Sequence, residues 1–243
     1  MNPDIVYVLK PSTTNEEFRY SLRSLVKNGS NYGKIVTIGG LVDGIKPDLA
    51  ISLGQSGRTK YDKVHFTLKE ICLNKQITDD FILMNDDFFI MKPLDFSKLE
   101  NYYRCSMEEY LDIIVKSRCP SEYTGRLARA AAALELLEFG SKCYELHIPM
   151  KLNKHRLLEV FGVFEGFCGT RTLYGNYFNI GGKKINDCKI FTCGEDFNKS
   201  GKFLSTTDKS FRLGKVGEYI RSQFPKSSRF EQEYVIISSW IRI

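Results

Sequence analysis

What most constrains this chain is the alternation, along its amino-terminal part, of short apolar runs with amphipathic stretches. Ile5–Leu9, Ile35–Ile38, Asp48–Leu53 and Phe81–Met84 read as strands, the first ended by Pro11-Ser-Thr-Thr14 and the second by Gly39-Gly40. Between them, Phe18, Leu22, Leu25 and Val26 share one helical face, and Asn28-Gly29 stops that helix. Thr13 with Glu16, or Thr14 with Glu17, is the expected capping box at its start. Tyr61–Asn74 is a second helix, with Val64, Leu68, Ile71 and Cys72 on its apolar stripe. Strands that are apolar on both faces must be covered on both faces. The pattern therefore predicts an α/β fold, a Rossmann-like parallel sheet between helices.

The remainder is less regular. A mainly helical insertion or cap is expected over 97–145, with helices at Glu108–Val115 and Gly125–Phe139. A helix at Lys154–Val160, strands and loops through Phe164–Cys193, a strand at Phe203–Ser205 and a helix at Val216–Phe224 follow. With no repeat, low-complexity tract or linker, residues 1–243 read as a single domain. A composition of 42% hydrophobic and 26% charged residues excludes a disordered chain. No apolar run reaches the ~20 residues of a bilayer span, and Met1-Asn2-Pro3-Asp4 does not open a secretory signal. The seven cysteines form no Cys-x-x-Cys pair, so reduced thiols in a cytoplasmic protein are expected. The net charge of +6, with Lys and Arg dense between Lys183 and Arg221, serves solubility or an anionic partner.

Chemistry is most concentrated in Phe81-Ile-Leu-Met-Asn85-Asp86-Asp87-Phe-Phe-Ile90. Two adjacent carboxylates after a buried strand resist joint ionisation unless a cation or strong donors neutralise them. Ligands of open parallel sheets bind at the carboxyl ends of the strands, where hard oxygens suit Mg²⁺ or Mn²⁺. The competing reading is an Asx turn that caps its own backbone. Arg19 and Arg23, one helical turn apart, are candidates to clamp a phosphate, or are solvated charges paired with Glu16. His147, beside the stiff Pro149, is a candidate base, whereas His65 and His155 fall within helices and serve packing or solvent. Arg171 is a candidate to offset charge on a leaving phosphate.

Taken in order, these segments resemble the Stealth family, relatives of N-acetylglucosamine-1-phosphotransferases and bacterial capsule-polymer transferases. Asp4-Ile-Val-Tyr7 resembles the family's opening strand. Asn15-Glu-Glu-Phe-Arg19-Tyr-Ser-Leu-Arg23-Ser is similar to its arginine block, and Asn85-Asp86-Asp87-Phe88-Phe89 to its Asn-Asp-Asp-x-Phe-Phe. His147-Ile-Pro149 with a following helix, downstream Arg171, and Thr207-Asp208 with Phe224-Pro-Lys-Ser-Ser-Arg-Phe-Glu231 resemble the later blocks. Thr207 stands where the family has Asn, and Val8-Leu9-Lys10-Pro11 where it has Trp-Val-Asp-Gly.

The resemblance implies a glycosyltransferase A-type nucleotide-sugar fold, Mn²⁺ or Mg²⁺ as cofactor, and a nucleotide-sugar donor such as a UDP-sugar. It implies Asp86 and Asp87 as metal ligands, with Asp86, His147 and Arg171 catalytic and His147 the base. Asp4, Arg19, Arg23, Asn85 and Asp208 are then donor-binding residues. The expected activity is transfer of a sugar, or of a sugar 1-phosphate, to a hydroxyl on a glycan or on a hydroxylated base in DNA. The alternative is a non-catalytic module, with a degenerate site, that binds nucleotide sugars or nucleic acid.

Overall fold

The computed structural model describes residues 1–232 apart from Pro11, Thr13, Gln55, Ser56, Arg58 and 118–120. Its elements begin with β1 (Asp4–Val8), α1 (Glu16–Asn28), β2 (Gly29–Ser30), β3 (Ile35–Gly39), β4 (Leu49–Ser52), α2 (Lys60–Leu73) and β5 (Asp80–Asn85). There follow β6 (Phe88–Ile90), β7 (Leu94–Asp95), β8 (Tyr102–Tyr103), α3 (Met107–Lys116), α4 (Ser121–Leu136), β9 (Met150–Asn153), α5 (Lys154–Val163) and α6 (Thr170–Tyr177). The chain continues through β10 (Lys183–Lys184), β11 (Lys189–Ile190), β12 (Phe203–Thr206), α7 (Asp208–Leu213) and α8 (Lys215–Gln223).

A five-stranded sheet in the order β4-β3-β1-β5-β9 forms the centre, parallel except for β9, which runs antiparallel to β5. The mixed α/β architecture with a mostly parallel sheet follows from the apolar strands. Successive residues enter opposite cores. Val6, Val36, Phe81 and Leu83 pack with Leu68 and Ile71 of α2 and Leu157 and Val160 of α5. Ile5, Tyr7, Ile35, Ile82 and Met84 pack with Phe18, Leu22 and Leu25 of α1 on the other face. Neither face of β1 or β5 is wet, which is why neither strand shows a polar alternation.

A second, three-stranded sheet in the order β11-β12-β6 adjoins the first, with β6 and β12 antiparallel and β11 and β12 parallel. Strand β5 belongs to the central sheet and β6 to the second, so the intervening Asp86-Asp87 turn sits where the two sheets meet. Between β8 and β9, α3 and α4 bury Met107, Tyr110, Ile114 and Leu127 against Cys105, Cys143 and Cys168, while Ala130 and Leu134 reach the central core. Among the described residues, no helix is long and apolar enough to cross a membrane.

Two local expectations need correction. Helix α1 is capped by Asn15, whose Oδ1 accepts the Phe18 N–H at 2.9 Å, not by Thr14; Thr13 lies outside the described residues, as does Cys119. Asn15 wins because its side chain is also held from the far side, as shown below. Within Phe164–Cys193, α6 is a helix rather than strand or loop. Six consecutive residues of α6, Arg171 to Asn176, are buried, so it has no polar stripe to betray a helical period. Its Gly175 is required by packing, since a Cβ there would come within 2.4 Å of the Tyr144 ring.

Candidate functional site

The two carboxylates after β5 are held quite differently from each other. Asp86 Oδ2 accepts from Asn15 Nδ2 at 2.7 Å, so the residue that caps α1 also grips the acidic turn. Burial raises the Asp86 pKa, and the charge of Asp87 adds to that, against the opposing hydrogen bond from Asn15 and the charge of Lys10. Asp87 Oδ2 forms an ion pair with Lys189 Nζ at 2.5 Å and accepts from Ser205 Oγ at 3.4 Å. Asp87 Oδ1 is buried without a hydrogen-bond partner.

A third carboxyl group approaches from the first turn of α1. Glu17 Oε1 accepts from Thr206 Oγ1 at 2.5 Å, and its pKa is raised to about 7. Burial is the main cause; the Asp87 and Asp86 charges add to it, and Lys189 counters them. Three acidic groups thus gather at the junction of the two sheets, with Lys189 in direct contact with one of them and Lys10 and Arg171 nearby.

His147 flanks this cluster. Its ring lies edge-on to Phe88, the residue after Asp87, with centroids 6.3 Å apart. Nδ1 is 2.7 Å from Asp187 Oδ2, and the His147 backbone N–H donates to Asp187 Oδ1 at 3.1 Å. Arg104 Nη1 holds Asp187 Oδ2 from the other side at 3.1 Å. Burial pushes the Asp187 carboxyl up, but hydrogen bonding and charge from His147, with the charge of Arg104, outweigh it and leave the pKa lowered. An ionised Asp187 makes Nδ1 the protonated nitrogen and leaves the Nε2 lone pair to act as a base.

Arg171 sits one layer below. It projects from α6 over the Phe88 ring, 5.4 Å from guanidinium carbon to centroid. Its Nη1 donates to the carbonyls of Leu146 and Ile148, at 3.2 and 2.7 Å, on either side of His147. Burial lowers its pKa, partly offset by Glu145, Asp87 and Asp187. In this structure Arg171 fixes the backbone of the histidine loop; a cavity of ≈ 10 Å³ beside it, lined also by Tyr144, Leu146 and Ile148, has room for about one water.

Of the residues singled out in the sequence, Asp86, Asp87, His147 and Arg171 come together, with Asn85 ending β5 beside them. Four others lie apart from this group. Asp4 begins β1, at the opposite edge of the sheet, where Oδ1 accepts the Lys34 N–H at 2.7 Å and Oδ2 the Thr78 N–H at 3.0 Å. Arg23 makes a forked pair with Glu231 through Nε at 2.8 Å and Nη2 at 2.7 Å, and Arg19 Nη1 reaches the same carboxylate at 3.2 Å. The two arginines therefore anchor the closing segment to α1. Asp208 is exposed and lies 3.6 Å from Arg212 on its own helix. Sequence reasoning missed Glu17, Asp187 and Lys189. Only Glu17 carried a local signal, being one helical turn from Ser21 and Tyr20 on the helix that faces β6.

Asp86 and Asp87 are chemically suited to Mn²⁺ or Mg²⁺. They offer adjacent hard oxygens, one of them buried and unpartnered, and such ions bind through one or two carboxylates plus phosphates of the substrate. Among the described residues, no group of three or more His, Cys, Asp or Glu side chains is placed to hold a metal ion, so a cation here would rest on these two carboxylates and its substrate. No protein-family model matches the chain, and no curated protein matches it.

Proposed function

We propose that the chain is a cation-dependent transferase of a Stealth-like, glycosyltransferase A-type design. It moves a sugar or sugar 1-phosphate from a nucleotide-sugar donor, such as a UDP-sugar, to a hydroxyl. The observation that carries this reading is the His147–Asp187 dyad, with Nδ1 to Oδ2 at 2.7 Å, beside an acidic turn that keeps one buried oxygen unpartnered at the carboxyl edge of a parallel sheet. The ordered motif resemblance supports it independently.

In this reading Asp86 and Asp87 would hold Mn²⁺ or Mg²⁺. When bound, the ion would supply neutralisation of charge on the departing phosphate. His147 Nε2 accepts the proton of the acceptor hydroxyl as its oxygen bonds to the donor. Asp187 keeps Nδ1 protonated and stabilises the imidazolium that results. Arg171 holds the loop carbonyls, so His147 cannot swing away. Attack at the anomeric carbon breaks the sugar–oxygen bond and releases a nucleoside diphosphate. Attack at the distal phosphorus breaks the phosphoanhydride and releases a monophosphate. The acceptor is a glycan hydroxyl or a hydroxylated base in DNA.

The test is chromatography of nucleotides after incubation of the full chain with UDP-sugars and Mn²⁺. Diphosphate or monophosphate appears with the native chain, identifies the bond broken, and falls by roughly 10²-fold or more in Asp87→Ala and His147→Ala. If DNA carries the acceptor, duplex binding falls steeply with salt, and affinity that ignores salt counts against that acceptor. A second reading, the non-catalytic binding module, is favoured by the commitment of Arg19 and Arg23 to Glu231. Donor binding without any nucleotide product establishes that reading instead.

A further inference from the structure

The acidic turn already carries a resident cation. Lys189 and Asp87 are each only 14% exposed at their side chains, and Nζ lies 2.5 Å from Oδ2. Lys189 opens β11, whose partner residue across the ladder is Ser205, the same residue whose hydroxyl reaches Asp87 Oδ2. Its backbone is therefore tied to the second sheet, and only its flexible four-carbon side chain is free to redirect the ammonium. Asp87 and Glu17 face this ammonium, Asp86 lies next to Asp87, and the other cations nearby are Lys10 and the buried Arg171.

A divalent cation on Asp87 and an ammonium in contact with the same carboxylate repel each other strongly in a partly buried site. Oδ1 of Asp87 is open to the cation while Nζ holds Oδ2, so the repulsion works against keeping both and favours release of Lys189. An ammonium displaced from it while still tethered to β11 stays within reach of whatever anion accompanies the cation.

We propose that Lys189 couples cation binding to diphosphate binding, as the counter-ion of Asp87 in the resting protein and a phosphate ligand once a cation takes that carboxylate. This rests on the functional reading above and adds an order to it. A cation alone binds against the charge of Lys189 and so binds weakly; a diphosphate gives the ammonium a new partner, so the two ligands strengthen each other. By linkage the enhancement is the same in both directions.

Equilibrium dialysis of Mn²⁺ against the full chain tests this, with and without saturating UDP, because chelation by free nucleotide is equal on both sides of the membrane. In the native chain UDP is expected to tighten Mn²⁺ binding by about tenfold or more, within the usual range of coupling between sites. In Lys189→Met, Mn²⁺ alone binds about tenfold tighter than to the native chain, and the enhancement by UDP shrinks to about threefold or less. Lys189→Arg keeps the charge and retains most of the enhancement. Lys189→Gln, which still hydrogen-bonds to Asp87, replaces the methionine variant if that one does not fold.

Equal or weaker Mn²⁺ binding in the neutral variant, or an undiminished effect of UDP, overturns the coupling while leaving the functional reading intact. Mn²⁺ binding by the native chain that Asp87→Ala fails to weaken, with or without UDP, overturns the functional reading and the coupling together.

Discussion

The two ends of the central sheet treat the same side chain in opposite ways. At the amino edge, Asp4 is 1% exposed and both its oxygens accept backbone N–H groups, from Lys34 and Thr78. The chain is shaped around it: a Cβ on Gly33 would lie 2.4 Å from Asp4 Oδ1. At the carboxyl edge, Asp86 has its pKa raised and Asp87 keeps one oxygen unpartnered. β1 and β5 are neighbours in register, Asp4 opposite Phe81, so the two sites are five residues apart along β5, about 16 Å. One carboxylate is fully used by the fold. The other pair is left with unmet capacity, and that surplus is what a ligand can claim.

This contrast can be broken most sharply through the dyad. Asp187→Asn presents an amide where Nδ1–H needs an acceptor and so favours the wrong tautomer. The expected result is a 10²–10⁴-fold fall in kcat with little change in KM, and a ¹⁵N spectrum of His147 with the proton moved to Nε2. A normal rate with an unchanged tautomer would remove Asp187 from the mechanism.

A smaller effect separates the two edges by stability. Asp4→Asn places a donor against a backbone N–H in a buried site. Its cost is about 2–3 kcal/mol, seen as a Tm lower by roughly 5–10 °C, with activity per folded molecule retained. Asp86→Asn removes a buried charge whose ionisation is already disfavoured, so stability stays within about 1 kcal/mol while transfer is lost. Equal stability losses in the two variants would mean that both carboxylates are structural.

The smallest effect belongs to Glu231, which binds Arg19 and Arg23 and whose pKa is pulled down to about 2. Burial acts in the opposite sense, but the hydrogen bond to Arg23, the Ser228 N–H and the charge of Arg23 outweigh it. Because the folded value lies below the unfolded one, this stabilisation is complete above about pH 4.5 and disappears as the pH falls toward about 2. Unfolding free energies from urea titrations of the native chain should fall by about 2 kcal/mol over that interval, and those of Glu231→Gln should lack this component. Parallel acid profiles would show that the pair contributes nothing to closing the carboxyl-terminal segment over α1.

Much of this was legible in the residues themselves. Apolar runs around Ile5, Ile35 and Phe81 specify strands buried on both faces, and the Phe18–Leu22–Leu25 stripe specifies the helix between them, because period and burial are local properties of the chain. Asp86 and Asp87 stood out for the same reason: two charges next to a buried strand conflict with their surroundings unless something answers them. Helix α6 was missed because Arg171 to Asn176 are all buried, which erases the periodic signal. Arg19 and Arg23 have the spacing of a phosphate clamp, and nothing near them in the chain announces Glu231, more than two hundred residues away.

What only the tertiary structure decided is which charges meet. Asp187 lies forty residues from His147, and Lys189 lies 102 from Asp87. No periodicity links such pairs; β11 carries Lys189, and Asp187 two residues before it, to this place because it pairs with β12, which in turn pairs with β6 beyond the acidic turn. The sequence by itself determined the layered sheet and the position of its acidic turn, since backbone hydrogen bonding and apolar burial act over neighbouring residues. The choice of partners for those carboxylates depended on long-range packing, in which low dielectric and close approach make a few distant charges dominate.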